Sequence, residues 1–459
     1  MNTIEKFFRN LPRNLKNKYF RRRLGAVIIL AIIVLIILIS GVKSIIKASQ
    51  ENKQREYEQE LFGELQEKNC KVTKFYTYGT SFGLEGTLDL VGKDNFENVK
   101  LILVDNDGVE AELPIEGSVT DGVLHIRSEQ INNTVCLDKL EAGRTYYLKL
   151  RVKTNNSLDP KYYMFENASH YPDIEYYTIT RNGKNNKVNI SFEQYETVDK
   201  KIYSCLYFKV EESQLPEDVY DIVIDAGHGG KDEGYTAAGY NEAEVCLEEA
   251  ELLKAELEDV GYKVAMTRTQ ENTDSYTMTN MYDENGRITT ACKSKAKIML
   301  SIHITDGSPR MRGIEIFAPP RSDLNYARLL ANKIVENTEL DFSNDNENQV
   351  FDGVYVNNYS ESQINNATKA AEDLNYSPYY ITQDTPYIYS IREVGGIATN
   401  AYMDGRNSAY AKNVYYDSNQ GIESYQINLG YIDNDLQRIL NGKEYIAVAI
   451  VRATLEQFK

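Results

Sequence analysis

Paired cysteines are missing from this chain. Cys70, Cys136, Cys205, Cys246 and Cys292 are scattered over 459 residues with no CxxC spacing. An odd, irregular set argues against a disulfide framework and lacks the spacing of a zinc knuckle. It reads as small buried apolar residues, with Cys136 and Cys205 the one pair that a single β domain could join. Histidine is scarcer still, with only His125, His170, His228 and His303. A net positive charge is found at the start and is reversed over the rest of the chain. Residues 1–23 hold eight Lys/Arg against Glu5, a net of +7, so with −17 overall the remainder carries −24. An acidic body lacks the basic face that phosphates need, which argues against nucleic acid as a partner.

Leu24 to Val42 is an uncharged run of mostly Ile, Val and Leu. It is long enough to cross a bilayer as one helix. The basic cluster ending in Arg21-Arg22-Arg23 stays in the cytoplasm and sends the C-terminal side out. The competing reading is a cleaved signal peptide. The run is long for a signal core, and Ser40-Gly41-Val42-Lys43 is a poor cleavage site, so a retained anchor is favoured. Residues 43–70, rich in Glu, Gln and Lys, read as a helical stalk, with a solvated linker as the alternative.

From 71 to 215 the pattern has period two. Val99, Leu101 and Leu103 alternate with polar neighbours, as do Tyr146, Leu148, Leu150 and Val152, and Val188, Ile190 and Phe192. Such alternation lays one strand face on a core. With turn signals at Asp105–Gly108 and Arg181–Gly183, the stretch reads as a β-sandwich-like domain, a spacer or binding module with no marks of chemistry.

From 218 to 459 strands and helices alternate. Asp221–Asp225, Tyr262–Met266, Lys297–Ile302 and Gly313–Phe317 read as strands. Glu242–Val260, Leu324–Asn337 and Glu444–Leu455 read as helices. This order implies an α/β domain, a mixed but mostly parallel sheet with helices on both faces. Ligand sites in such sheets lie at the carboxyl ends of strands. His228 follows the first strand, His303 ends the third, and Glu242 opens the first helix. Two imidazoles and a carboxylate at one sheet edge form a His2Glu set, which suits zinc and leaves a fourth position for water. Other divalent ions share that ligand preference. Either histidine alone would more simply be structural.

Val223 to Gly234 reads VIDAGHGGKDEG, which resembles the opening motif of the zinc-dependent N-acetylmuramoyl-L-alanine amidases of the amidase-3 type. Glu242, Met266-Thr267-Arg268, Ser301-Ile302-His303, Gly313-Ile314-Glu315 and Leu429–Asn434 resemble the family's later motifs in order, over about 218–459. The resemblance implies that His228, Glu242 and His303 bind zinc. It implies cleavage of the amide joining N-acetylmuramic acid to the first L-alanine of the stem peptide, with peptidoglycan as partner. It also implies a closing glutamate that moves protons, and here the chain departs: Asn428 stands where that glutamate belongs. A carboxamide takes no proton at neutral pH, and losing general acid/base help costs about 10²–10⁴-fold in rate.

Asp306 and Glu244 are candidates to replace it. Glu423, at an odd offset on the same strand, points to the opposite face. Thr305 stands where the family usually has asparagine. Residues 341–362, rich in Asn and Asp, read as an exposed insertion, with disorder as the alternative and an occluding or partner-docking role as the hypothesis. Two functional readings stand: a membrane-anchored peptidoglycan amidase weakened at its proton-transfer step, facing the cell wall, and a catalytically silent zinc-binding relative that binds peptidoglycan or regulates another hydrolase. A third treats the α/β domain as a structural adaptor. The β domain or the insertion would hold any protein partner.

Overall fold

The computed structural model describes residues 18–62, 65–66, 68–90, 96–128, 135–155, 159–270, 281–322, 324–373, 381–399 and 420–459. The expected basic segment lies in part outside them, at residues 1–17. Two compact units divide the chain, one of 1–64 with 196–202 and one of 65–195 with 203–459.

In the first unit a single helix runs from Lys18 to Phe62, so the apolar run and the expected stalk form one rod. It is long and apolar enough to cross a membrane, and Leu30 and Ile37 are 63% and 61% exposed. Near its end Arg55 pairs with Asp199 at 3.2 Å, and the Glu58 carboxylate accepts from the Val198 amide at 2.9 Å.

The second unit begins with two β sheets. One orders the strands around Cys70–Tyr78 and Ser81–Asp89, the other those around Thr145–Thr154 and Ile202–Ser213. The alternating residues meet in one core: Leu101 and Leu103, Leu148 and Leu150, Val188 and Ile190, with Phe75 and Phe82 opposite. Cys136 and Cys205 make no disulfide, and all five thiols are free.

The C-terminal domain, whose elements are numbered from its own first strand, has strands β1 (Ile222–Ala226), β2 (Val264–Met266), β3 (Ile298–Thr305), β4 (Glu315–Phe317), β5 (Gln349–Phe351), β6 (Val354–Tyr355) and β7 (Glu423–Tyr431). Its helices are α1 (Glu242–Asp259), α2 (Arg287–Lys293), α3 (Asn325–Asn337), α4 (Glu361–Asp373), α5 (Tyr389–Val394) and α6 (Ile432–Gln457). The sheet order is β2-β1-β3-β7-β4-β6-β5. β2, β1, β3 and β7 are mutually parallel, and β4 runs antiparallel to β7.

Period two divides the side chains. Ile222, Ile224, Ile298, Leu300, Ile302, Ile427 and Leu429 pack under α1, α3 and α6. Val223 and Met299 face the other way, onto Ile288, Cys292 and Val394 of α2 and α5. Asp225, Ser301 and His303 alternate with the apolar residues of these strands, so helices cover both faces while the polar strand residues lie on one.

Two elements differ from the sequence reading. The insertion at 341–362 is largely exposed, as expected, but it is ordered into strands. Its β5 and β6 extend the sheet past β4, and Val354 and Tyr355 are buried. The last helix starts at Ile432, twelve residues before the expected Glu444. Its polar first turn hides the apolar period. A tertiary contact supports that turn: buried Asp435 accepts from the amides of Tyr431 at 3.0 Å and Gly313 at 2.7 Å.

Candidate metal centre

β1 is buried throughout and ends at Ala226. The next residue has to be small: a Cβ at Gly227 would fall 2.5 Å from the His303 ring. His228 then takes a left-handed conformation, φ +55°, and the chain closes a turn in which the Gly229 amide donates to the Asp232 carbonyl at 2.8 Å. The turn brings Asp232 Oδ2 within 3.0 Å of His228 Nδ1. An imidazole that donates from Nδ1 to a carboxylate has its Nε2 lone pair turned the other way, toward a cation.

Glu242 is the first residue of α1, whose N-cap Asn241 accepts from the Glu244 amide. Fully buried, its carboxylate accepts from the amides of Ile304 at 2.9 Å and Tyr235 at 3.2 Å. It lies 3.0 Å from His228 Nε2 and 3.2 Å from His303 Nδ1. His303, two residues before the end of β3 rather than at it, has its Nε2 buried with no hydrogen-bond partner. One donor atom from each of the three residues lies within 4.8 Å of the others.

Burial alone would raise the Glu242 pKa, but the hydrogen bonds and charges of His228 and His303 outweigh it and hold it at about 2. Burial would lower His228, and Glu242 and Asp232 instead raise it. Two nitrogen donors, an ionised carboxylate and an orphaned buried nitrogen fit a divalent cation by type and position.

Two buried arginines hold this edge. Arg268, 1% exposed, donates to the carbonyls of Ala226 at 2.9 Å, Gly227 at 2.8 Å and Ala243 at 2.7 Å. Arg287 joins the His228 carbonyl at 2.9 Å to the Asp225 carboxylate at 3.2 Å. Asp225 also takes the hydroxyls of Thr267 at 2.6 Å and Ser301 at 2.7 Å. The sequence reading missed Asp232 and Arg287 as supports. The spacing of four from His228 was a signal for the first; nothing local marked the second.

Residues 222–455, just over half the chain, match the family described as N-acetylmuramoyl-L-alanine amidase. The chain belongs to that family. Similar solved structures include the N-acetylmuramoyl-L-alanine amidase AmiC2 of Nostoc punctiforme, 19% identical over 52% of this chain and 96% of that one, TM-score 0.31. The CwlD amidase from Clostridioides difficile, solved in complex with the GerS lipoprotein, is 18% identical over 52% and 98%, TM-score 0.33. The N-acetylmuramoyl-L-alanine amidase from Clostridium difficile 630 is 17% identical over 52% and 97%, TM-score 0.32. No curated protein matches the chain.

In the amidase domain Asn428 lies opposite His303 on β3 and opposite Glu315 on β4. Its Nδ2 donates to Glu315 Oε2 at 2.9 Å, and its Oδ1 accepts from Gln426 at 3.1 Å. Glu315 also accepts from the hydroxyls of Ser343, at 3.0 Å, and Tyr431. The candidate replacements fall in different places. Glu423 is buried at the far end of β7 under the Tyr425 hydroxyl. Glu244 is exposed on the first turn of α1, and Asp306 is exposed beside the site. Thr305 ends β3 next to Asp306. Glu315, quoted in the sequence as part of a motif and given no role, is the carboxylate that Asn428 touches.

Proposed function

We propose that this protein is a membrane-anchored, metal-dependent amidase that cuts the bond between N-acetylmuramic acid and the L-alanine of the stem peptide, slowed by Asn428. The observation that carries this reading is the meeting of His228, Glu242 and His303 donor atoms within 4.8 Å at the carboxyl edge of the sheet. Those three residues would hold zinc. When bound, such an ion polarises the scissile carbonyl and acidifies water. Asp232 keeps the His228 ring turned for that purpose, and the amides of Tyr235 and Ile304 hold the Glu242 carboxylate in position. Asn428 offers its substrate hydrogen bonds but no proton acceptor. The helix Lys18–Phe62 anchors the chain, with the domains 71–215 and 218–459 outside, toward the wall.

A second reading has its own support. Asn428 is locked between Gln426 and Glu315, which suits a silent relative that binds peptidoglycan and regulates another hydrolase.

The test uses the full chain in detergent with zinc on purified cell walls. Release of stem peptides with a new L-alanine amine is expected. Silence together with stoichiometric zinc would favour the second reading. The ligand assignment is checked by metal content after dialysis: His228→Ala is expected to lose the ion, and full retention would refute it.

A further inference from the structure

Hydrolysis of an amide moves a proton from water to the departing nitrogen, and Asn428 can carry none. Most carboxylates around the candidate metal centre are already committed. Asp225 is held by Arg287, Thr267 and Ser301. Asp232 meets His228 Nδ1 and the Gly234 amide. Glu242 lies between the two imidazoles. Asp306 is exposed and follows the end of β3. Glu315 has no such commitment.

Three residues in register cross the sheet here. His303 on β3 pairs with Asn428 on β7, and Asn428 pairs with Glu315 on β4. Paired residues on neighbouring strands share a face, so Glu315 is turned to the side of the sheet that carries His303. A glutamate at 428 would reach one methylene, about 1.5 Å, beyond the asparagine. Glu315 Oε2 already stands 2.9 Å from the end of that asparagine. The carboxylate missing from β7 is thus supplied by the next strand.

Its position is fixed. Ser343, at 3.0 Å, and Tyr431 donate their hydroxyls to Glu315 Oε1, while Gln426 steadies Asn428 at 3.1 Å. Glu315, Asn428 and Tyr431 line a groove of about 680 Å³, which also takes in Thr305 and Asp306 past His303 and is walled by the insertion through Asp345, Asn357 and Asn358. The carboxylate is therefore within reach of water and substrate. Among the described residues no Lys or Arg lines that groove, so Glu315 has no guanidinium against it as Asp225 has.

We infer that Glu315 is the proton carrier of the reaction, doing from β4 what a glutamate at 428 would do from β7; this rests on the amidase reading. Water gives a proton to the Glu315 carboxylate as its oxygen bonds to the scissile carbonyl carbon. The carbon–nitrogen bond then breaks, and the proton passes from Glu315 to the departing nitrogen. The products are a carboxylic acid, which ionises into solvent, and the free amine of L-alanine, and Glu315 is left as it began. It works from one strand spacing further off, about 4.8 Å, which slows the transfer without abolishing it. Ser343 and Tyr431 are positioning residues.

The test follows stem-peptide release from purified cell walls by the full chain in detergent with zinc, across pH, with metal content and circular dichroism read alongside. Glu315→Gln is expected to keep its metal and fold, to lose about tenfold or more in rate, and to lose the acid limb that a carboxylate base gives the profile. Adding Asn428→Glu to that variant returns the carboxylate to β7 and is expected to restore at least the parent's rate, which a merely structural role of Glu315 would not allow. Should Glu315→Gln unfold, Glu315→Asp keeps the charge, draws it back by one methylene and is expected to be slower than the parent. A parental rate in either single variant, or a double variant no faster than Glu315→Gln, overturns the inference. Activity in Asn428→Glu with none in the parent overturns it too and leaves the amidase reading standing. No release by the parent or by Asn428→Glu, with zinc bound to both, sinks that reading and this one with it.

Discussion

The sheet of the amidase domain is polar at both ends of the same two strands, and the two ends are finished in opposite ways. At the amino end Asp221 and Lys297 are 1% and 6% exposed, and the β module closes over them. Asp221 accepts from the amide and hydroxyl of Thr180, both at 2.8 Å. The Lys297 ammonium lies 5.3 Å from the centre of the Tyr176 ring. A segment of the amidase domain, Gln420–Gly421, even pairs in parallel with Thr77–Tyr78 of the module. Gly79, at φ +53°, sits so close to Glu423 that any Cβ would overlap that carboxylate. At the carboxyl end the polar groups are held from behind by Arg268 and Arg287, with a groove open beside them. Charged residues at strand ends do not mark a site by themselves; what covers them decides whether they are structural or available.

The largest effect that would break this contrast is at the open end. Glu242→Ala removes the carboxylate shared by both imidazoles, and is expected to abolish metal binding and any wall cleavage while the amino-end junction stays folded. Metal content and circular dichroism check it together, and retained metal would erase the distinction between the ends. Next comes Asn428→Glu, expected to raise the cleavage rate about 10²–10⁴-fold by restoring a proton acceptor. The new carboxylate would sit against Glu315, and like charges that close raise one pKa. The rate profile of this variant should therefore gain an alkaline-shifted limb. An unchanged rate would mean that proton transfer at this position does not limit turnover.

The third prediction concerns the closed end and is read in stability. Asp138 of the β module, which accepts from the Tyr176 hydroxyl at 2.9 Å and feels the Lys297 charge, is pushed by burial up to about 6 against the opposing pull of Arg181 and Tyr176. Its folded pKa thus exceeds its unfolded one, so the native state holds a proton that the unfolded chain has released. Stability conferred by that proton is complete below about pH 4 and is lost as pH rises to about 6, roughly 3 kcal/mol at most. Denaturant unfolding of Asp138→Asn should lack this part of the pH dependence. A profile identical to the parent's would show that the junction does not bury that charge. Smallest is Glu244→Gln, an exposed change on the first turn of α1. It is expected to alter cleavage by less than about twofold, since its carboxylate faces solvent; a large loss would return it to the list of proton carriers.

Much of this was legible before folding. The alternation of Leu101, Leu148 and Ile190 revealed a half-buried β module because period two is local. The ordered motifs from Val223 to Asn434 revealed the amidase domain. His228, Glu242 and His303 were legible as a set because each stands at the end of an element, and a parallel sheet gathers such ends at one edge. The strands of the insertion were not legible. Gln349–Phe351 and Val354–Tyr355 are too short to show a period; Val354–Tyr355 pairs along the edge of β4, and Gln349–Phe351 pairs in turn with it.

By itself, then, the sequence determined an apolar helix, a β module, a parallel-rich α/β domain and three metal-type side chains at comparable strand ends, all of which follow from local periodicity and order along the chain. Only the tertiary structure decided that Asn428 faces Glu315, that the insertion walls a groove, and that one end of the sheet is sealed by another domain. Those facts depend on which strands become neighbours, and neighbours in space are chosen by packing across hundreds of residues.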